Sequence, residues 1–207
     1  YRWQTGAHDA TLAEDAQITP LPGADKRFWF SPGSERHLDL DTIITGFLVP
    51  VNARQLNRML AEDGRNQLEA LNDRGWFEPP LSSAQLAALP RLASIDDAAA
   101  TPELRVRSYF DVNCAACHRP GGLARGNFDA RFVTPLAKQG LVNGELIAGD
   151  LGVAGAKVIV PGAPDKSALF LRVKPNPFFR MPPIAVNDEA QPVLPVLEEW
   201  IRGLPKQ

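Results

Sequence analysis

Tyr109-Phe110-Asp111-Val112-Asn113-Cys114-Ala115-Ala116-Cys117-His118 holds both cysteines of a 207-residue chain within four positions, with a histidine directly after the second. Residues three and four apart lie on one face of a helical turn, so this spacing brings two thiols and an imidazole to one side. Two cysteines are too few for a disulfide framework. A redox-active Cys114–Cys117 pair of the thioredoxin-like kind expects a preceding strand, whereas the residues before Cys114 read as a helix. A closed zinc site needs four N, O or S ligands, and the sequence has no second Cys-x-x-Cys and no His-x-x-x-His to complete one.

Cys-x-x-Cys-His is the attachment pattern of c-type haem. The thiols bond the two porphyrin vinyl positions and the imidazole reaches the iron, so the expectation is one covalent haem c on Cys114 and Cys117, with His118 as an axial ligand. The opposite axial face decides what such an iron does. A methionine thioether raises the potential and closes the metal, while an open or labile face admits small molecules.

The chain has two methionines. Met59 lies among leucines in a helical pattern and is expected in a core. Met181 stands in Phe178-Phe179-Arg180-Met181-Pro182-Pro183, where two prolines stiffen the chain, 63 residues after His118. It is the expected second axial ligand, with His8 and His37 as competitors that would give a bis-histidine iron. Pro120 offers a carbonyl to the Nδ1–H of His118, the bond that orients a ligating imidazole. Arg180 is the first choice to pair with haem propionates, followed by Arg107, Arg119 and Arg125.

Working outward, Thr101, Pro102 and Glu103 announce the helix that leads into the motif, with Leu104, Tyr109 and Phe110 as its apolar face. After the motif, glycine and proline dominate as far as Pro161-Gly162. A stretch this long with so little period is expected to wrap around something, such as a cofactor. Two helices follow: one near Ser167–Val173, with Asp165 as its cap, and a terminal one starting at about Gln191 or later. Val193, Val196, Leu197, Trp200, Ile201 and Leu204 mark the apolar face of the latter.

Upstream, Leu56, Met59 and Leu60 predict one short helix and Leu68 and Leu71 a second, joined at Gly64. A further helix is expected around Ser83–Leu89, capped by Ser82 or Ser83. The first twenty residues show no sustained period; Pro20-Leu21-Pro22-Gly23 reads as a turn, and Arg27-Phe28-Trp29-Phe30 is an aromatic cluster. The Pro-rich, small-residue stretch 78–101 separates two expected domains, 1–97 and 98–207.

The formal net charge of −2 argues against a nucleic-acid binder. Residues 1–97 carry 9 Lys+Arg against 14 Asp+Glu and residues 98–207 carry 13 against 10, a split that reads as a solvated surface or as a means of docking. No apolar run reaches the roughly 20 residues of a membrane-spanning helix. Starting at Tyr1 without a basic-then-apolar leader, the chain reads as processed or trimmed.

With a helix, CxxCH, a glycine-rich wrap, Met-Pro-Pro and a final helix containing Glu199-Trp200-Ile201 in order, residues 98–207 resemble a class I monohaem cytochrome c domain. The resemblance implies an all-α, cytochrome c-like helical fold around haem c, with His118 and Met181 as axial ligands. It also implies one-electron transfer outside the cytoplasm, in a bacterial periplasm. The segments CAACHRPGGLARGNFDARFVTPL, VIVPGAPDKSALFLRV and QLNRML…NQLEAL are similar to larger periplasmic haem proteins whose first half often carries its own CxxCH. Here the corresponding Ser34-Glu35-Arg36-His37-Leu38-Asp39-Leu40 has no cysteine, which excludes a second covalent haem. Residues 1–97 are then expected to be a mainly helical, irregular domain, a degenerate cytochrome-like one with Trp29, Phe30, Trp76 and Phe77 filling the former pocket.

The expected partner is a periplasmic dehydrogenase or another cytochrome, with the chain as a component of a larger fusion or complex. A haem peroxidase or oxidase, or a redox or gas sensor with a labile distal ligand, is the alternative.

Overall fold

The computed structural model describes residues 2–3, 6, 8–12, 14–20, 28–31, 51–175, 180–183 and 192–206. It is mostly helical with few strands. The strands, β1 (Arg2–Trp3) with β2 (Ala10–Thr11) and β3 (Gln17–Pro20) with β4 (Phe28–Ser31), pair as two small antiparallel ribbons. Ile18 lies opposite Phe30 and Thr19 opposite Trp29 in the second ribbon. The expectation for residues 1–97 is a mainly helical, irregular region; the ribbons are short strands in its first part that the sequence did not suggest. β-Branched and aromatic residues favour them, and four residues are too few to show a period.

Asn52 opens α1 (Ala53–Leu56) through a reciprocal capping box with Gln55. The helix stops at Asn57, so the expectation of a helix running through Met59 and Leu60 is corrected. The Asn57 side chain explains the stop: it donates to the Leu89 carbonyl at 2.9 Å and accepts from Asn66 at 2.8 Å, partners that a continued helix would not offer. Met59 pairs instead in a β-bridge with Asn66 and is 59% exposed, not core. Gly64, at φ +67°, turns the chain back toward α2 (Gln67–Asp73), capped by Asn66. Ser82 caps α3 (Ser83–Ala88) in a second capping box with Gln85, as the sequence leads one to expect.

Helix α4 (Pro102–Asn113) has the predicted start, with Thr101 Oγ1 accepting the Leu104 N–H at 3.3 Å. Its buried stripe differs from the predicted one. Val106 and Phe110 are fully buried, whereas Leu104 is 37% exposed. α4 packs two ways. Its apolar side meets α6 (Val193–Gly203), where Phe110 and Trp200 stack edge to face at 6.3 Å, an arrangement that adds about 0.5–1.5 kcal/mol to the burial itself.

The polar side of α4 is also buried and takes up upstream chain. Ser108 Oγ accepts the Ala93 N–H at 3.0 Å, and Asp111 accepts from Asn52 at 3.4 Å, Arg54 at 3.3 Å and the Phe132 N–H at 2.8 Å. Buried polar groups stay buried only when bonded in this way.

α6 buries Val193, Val196, Leu197, Trp200 and Ile201, the face predicted for it. With α4 and α5 (Ala168–Val173) they form one apolar core that also takes in Leu141, Val158 and Ile159. Leu141 and Ile159 belong to the glycine-rich segment. They are locked by a parallel bridge in which the Ile159 N–H reaches the Leu141 carbonyl at 3.0 Å and the Asn143 N–H reaches the Ile159 carbonyl at 2.8 Å. Part of that segment therefore folds on the chain's own core. Asp165 does not cap α5, because it lies in a 3-10 turn (Pro164–Lys166). Ser167 occupies the cap position, and its hydroxyl turns to the Val160 N–H and the Ala163 carbonyl, both at 2.9 Å. Among the described residues no helix is long and apolar enough to cross a membrane.

Candidate functional site

The motif forms a turn of its own. α4 ends at Asn113, and Cys114 leaves helical geometry at φ −123° while its N–H still bonds the Phe110 carbonyl. The Cys114 carbonyl then accepts the N–H of Cys117 at 3.1 Å and of His118 at 2.8 Å. The three-and-four spacing is thus spanned by a main-chain turn that follows the helix. Gly122 closes against it: a side chain there would place Cβ 2.1 Å from the Cys117 carbonyl oxygen. The Ala130 N–H bonds the His118 carbonyl at 2.8 Å and anchors the exit.

Neither thiol is in a disulfide. Burial, followed by the neighbouring Cys117, pushes the Cys114 thiol up to about 12. Burial also raises Cys117, against the opposing charge of Arg119. Both are protonated at neutral pH, the reverse of a redox Cys-x-x-Cys, whose attacking thiol is lowered. Among the described residues no group of three His, Cys, Asp or Glu side chains is placed to hold a metal ion by itself.

Burial, and then the charge of Arg172, lowers His118 to about 4, so its imidazole is neutral, the form that binds metals. The ring stacks on Phe128 with centroids 4.2 Å apart and planes 13° from parallel. Its Nδ1 is buried and has no hydrogen-bond partner. The expected bond to Pro120 is therefore absent. Pro120 is exposed, and the chain turns directly after it at Gly121 (φ +73°). Gly126 lies against the Nδ1–Cε1 edge, and a Cβ there would fall 3.0 Å from Cε1 and 3.1 Å from Nδ1.

Met181 is half-buried, and its N–H donates to the Arg172 carbonyl at 2.8 Å. The loop that carries it is thereby fastened to α5, on the residue whose charge acts on His118. Arg180, beside it, is half-buried. Arg107 is committed to Glu103 at 3.2 Å and to the Phe132 and Thr134 carbonyls at 2.8 Å each, so the structure gives it a scaffold role. Arg119 is half-buried and Arg125 exposed.

His8 is exposed beside the first ribbon, while His37 and the segment Ser34–Leu40 lie outside the described residues, as do Phe178 and Phe179. Trp76 is 74% exposed, which overturns its expected place in a filled pocket. It follows Gly75, at φ +74°, just after α2 ends, and that turn carries the ring away from the helix. Phe77 is half-buried, and the side chains of Trp29 and Phe30 lie outside the described residues.

Sequence reasoning missed Phe128, Gly126 and Arg172. The first two stand in Gly126-Asn127-Phe128, eight to ten residues after His118 in a stretch without period. The only local sign was an aromatic residue among glycines. No family model matches the chain, and no curated protein and no solved structure matches it either.

Proposed function

We propose that this chain carries single electrons outside the cytoplasm through one covalently bound haem c, with residues 98–207 adopting a class I cytochrome c-like arrangement. The observation that supports the reading is the main-chain turn Cys114–His118, in which both cysteines are free and the His118 imidazole is neutral. The residues fit such a group. The sealed, unpartnered Nδ1 of His118 leaves Nε2 as the ligating nitrogen, and the absent side chain at Gly126 keeps the ring edge clear.

Cys114 and Cys117 would hold the porphyrin as thioethers, and His118 and Met181 would take the two axial positions. The haem supplies a reversible Fe(III)/Fe(II) couple, and the protein supplies its burial, its ligands and a docking surface. On this reading Arg180, next to Met181 in sequence, would balance a propionate. The partner on this reading is a periplasmic dehydrogenase or another cytochrome.

Expression with a periplasmic haem-attachment system tests the proposal. One haem per chain that resists acid-acetone extraction, with the weak far-red ferric band of methionine ligation, is the expected result. A chain that gains no covalent haem would sink it, and a high-spin ferric spectrum would move the reading to a peroxidase or sensor.

A further inference from the structure

We infer that Phe128 and Gly126 form a clamp that sets the rotational orientation of the His118 imidazole at the iron. This rests on the proposed haem ligation by His118. A ligating histidine is usually oriented by a hydrogen bond from its second nitrogen to a carbonyl, carboxylate or water. Here that nitrogen, Nδ1, is buried and bonds no protein group among the described residues, so the contacts around the ring are the ones that set its orientation.

The structure supplies two contacts. Phe128 covers one face of the imidazole, nearly parallel at 4.2 Å. Gly126 borders the Nδ1–Cε1 edge so closely that a methyl would contact Cε1 at 3.0 Å, Nδ1 at 3.1 Å and Phe128 Cε1 at 3.1 Å. A Cβ at those distances would press both rings aside by a few tenths of an ångström, so the missing side chain leaves the stacked pair undisturbed.

The clamp is itself held. The Asp129 N–H donates to the Gln139 carbonyl at 2.8 Å, directly after Phe128, and the Ala130 N–H donates to the His118 carbonyl at 2.8 Å. The stacking residue and the ligand thus share one short hydrogen-bonded loop. Rotation of the imidazole about its Cβ–Cγ bond would have to break the stack with Phe128. Phe128 and Gly126 are positioning residues: they act on the iron only through His118.

Low-temperature electron paramagnetic resonance of the ferric holoprotein reads ligand-plane orientation, after haem per chain has been counted for each protein by pyridine haemochrome. Phe128→Leu removes the stacked face and should shift the low-spin g values, while Phe128→Tyr should restore the wild-type ones. Gly126→Ala should shift them as well. A haem-loaded Phe128→Leu protein with unshifted g values overturns the clamp, as does a Phe128→Tyr protein that departs as far as Phe128→Leu. If Phe128→Leu does not fold, Gly126→Ala decides, and wild-type g values there overturn the inference. A wild-type chain without covalent haem overturns the proposed function instead, so the two failures are distinct.

Discussion

The main-chain N–H of Met181 is bonded to the main-chain carbonyl of Arg172, the residue whose charge acts on His118. One residue of α5 therefore links the loop of the expected distal ligand to the surroundings of the proximal one. Met181→Ala keeps this main-chain bond and removes only the thioether. The expected outcome is a lower reduction potential, loss of the far-red ferric band and carbon monoxide binding by the ferrous protein. A variant with unchanged potential and no carbon monoxide adduct would remove Met181 from the iron.

Gly122 governs the attachment turn by a different route. A Cβ 2.1 Å from the Cys117 carbonyl cannot be accommodated without moving backbone, since no flexible side-chain end is there to yield. Gly122→Ala should therefore lower the yield of covalently attached haem, measured as haem per chain in matched expressions. The far-ultraviolet helix signal should stay near wild type, because the atoms that a Cβ at Gly122 meets belong to Cys117 and Arg119, outside the helices.

Trp200 joins α4 to α6 through its edge-to-face contact with Phe110. Trp200→Ala should destabilise the fold by about 3–5 kcal/mol, the usual cost of emptying a buried aromatic site. Urea unfolding should show a lower midpoint with little change in slope. A midpoint within error of wild type would show that the helix pair does not depend on this ring.

Asp129 gives the acid limb of stability a specific origin. Burial alone would raise its carboxyl, but bonds from the Arg131 and Thr134 side chains and from the Arg131 N–H, with the Arg131 charge, overcome that and hold it at about 2. A carboxyl lowered on folding contributes stability that is full above its unfolded value near 3.8 and is lost as pH falls toward 2. The wild type should thus be more stable than Asp129→Asn at neutral pH, and the difference should shrink through that window. Urea midpoints of both proteins across pH check the sign; a gap that widens on acidification would refute it.

The parts of the fold written as local signals were legible. Thr101-Pro102-Glu103 marks the start of α4, Ser82 with Gln85 marks α3, and the spacing of Val193, Val196, Leu197, Trp200 and Ile201 marks α6. What failed depended on distant partners. Asn57 ends α1 because Leu89 and Asn66 bind its side chain, and Leu104 yields its expected core place to Val106 because α4 also buries a polar side against Ala93 and Asp111's partners. At the site, the turn that joins Cys114, Cys117 and His118 was legible from spacing alone. Phe128 was not, because stacking on His118 is a contact between two points of an aperiodic loop.

The turn at Cys114–His118 is closed by main-chain groups, the Cys114 carbonyl taking the N–H of Cys117 and of His118. Scaffold and chemistry are separable there. Each thiol can be replaced with these main-chain bonds kept, whereas replacing His118 also removes the ring that stacks on Phe128.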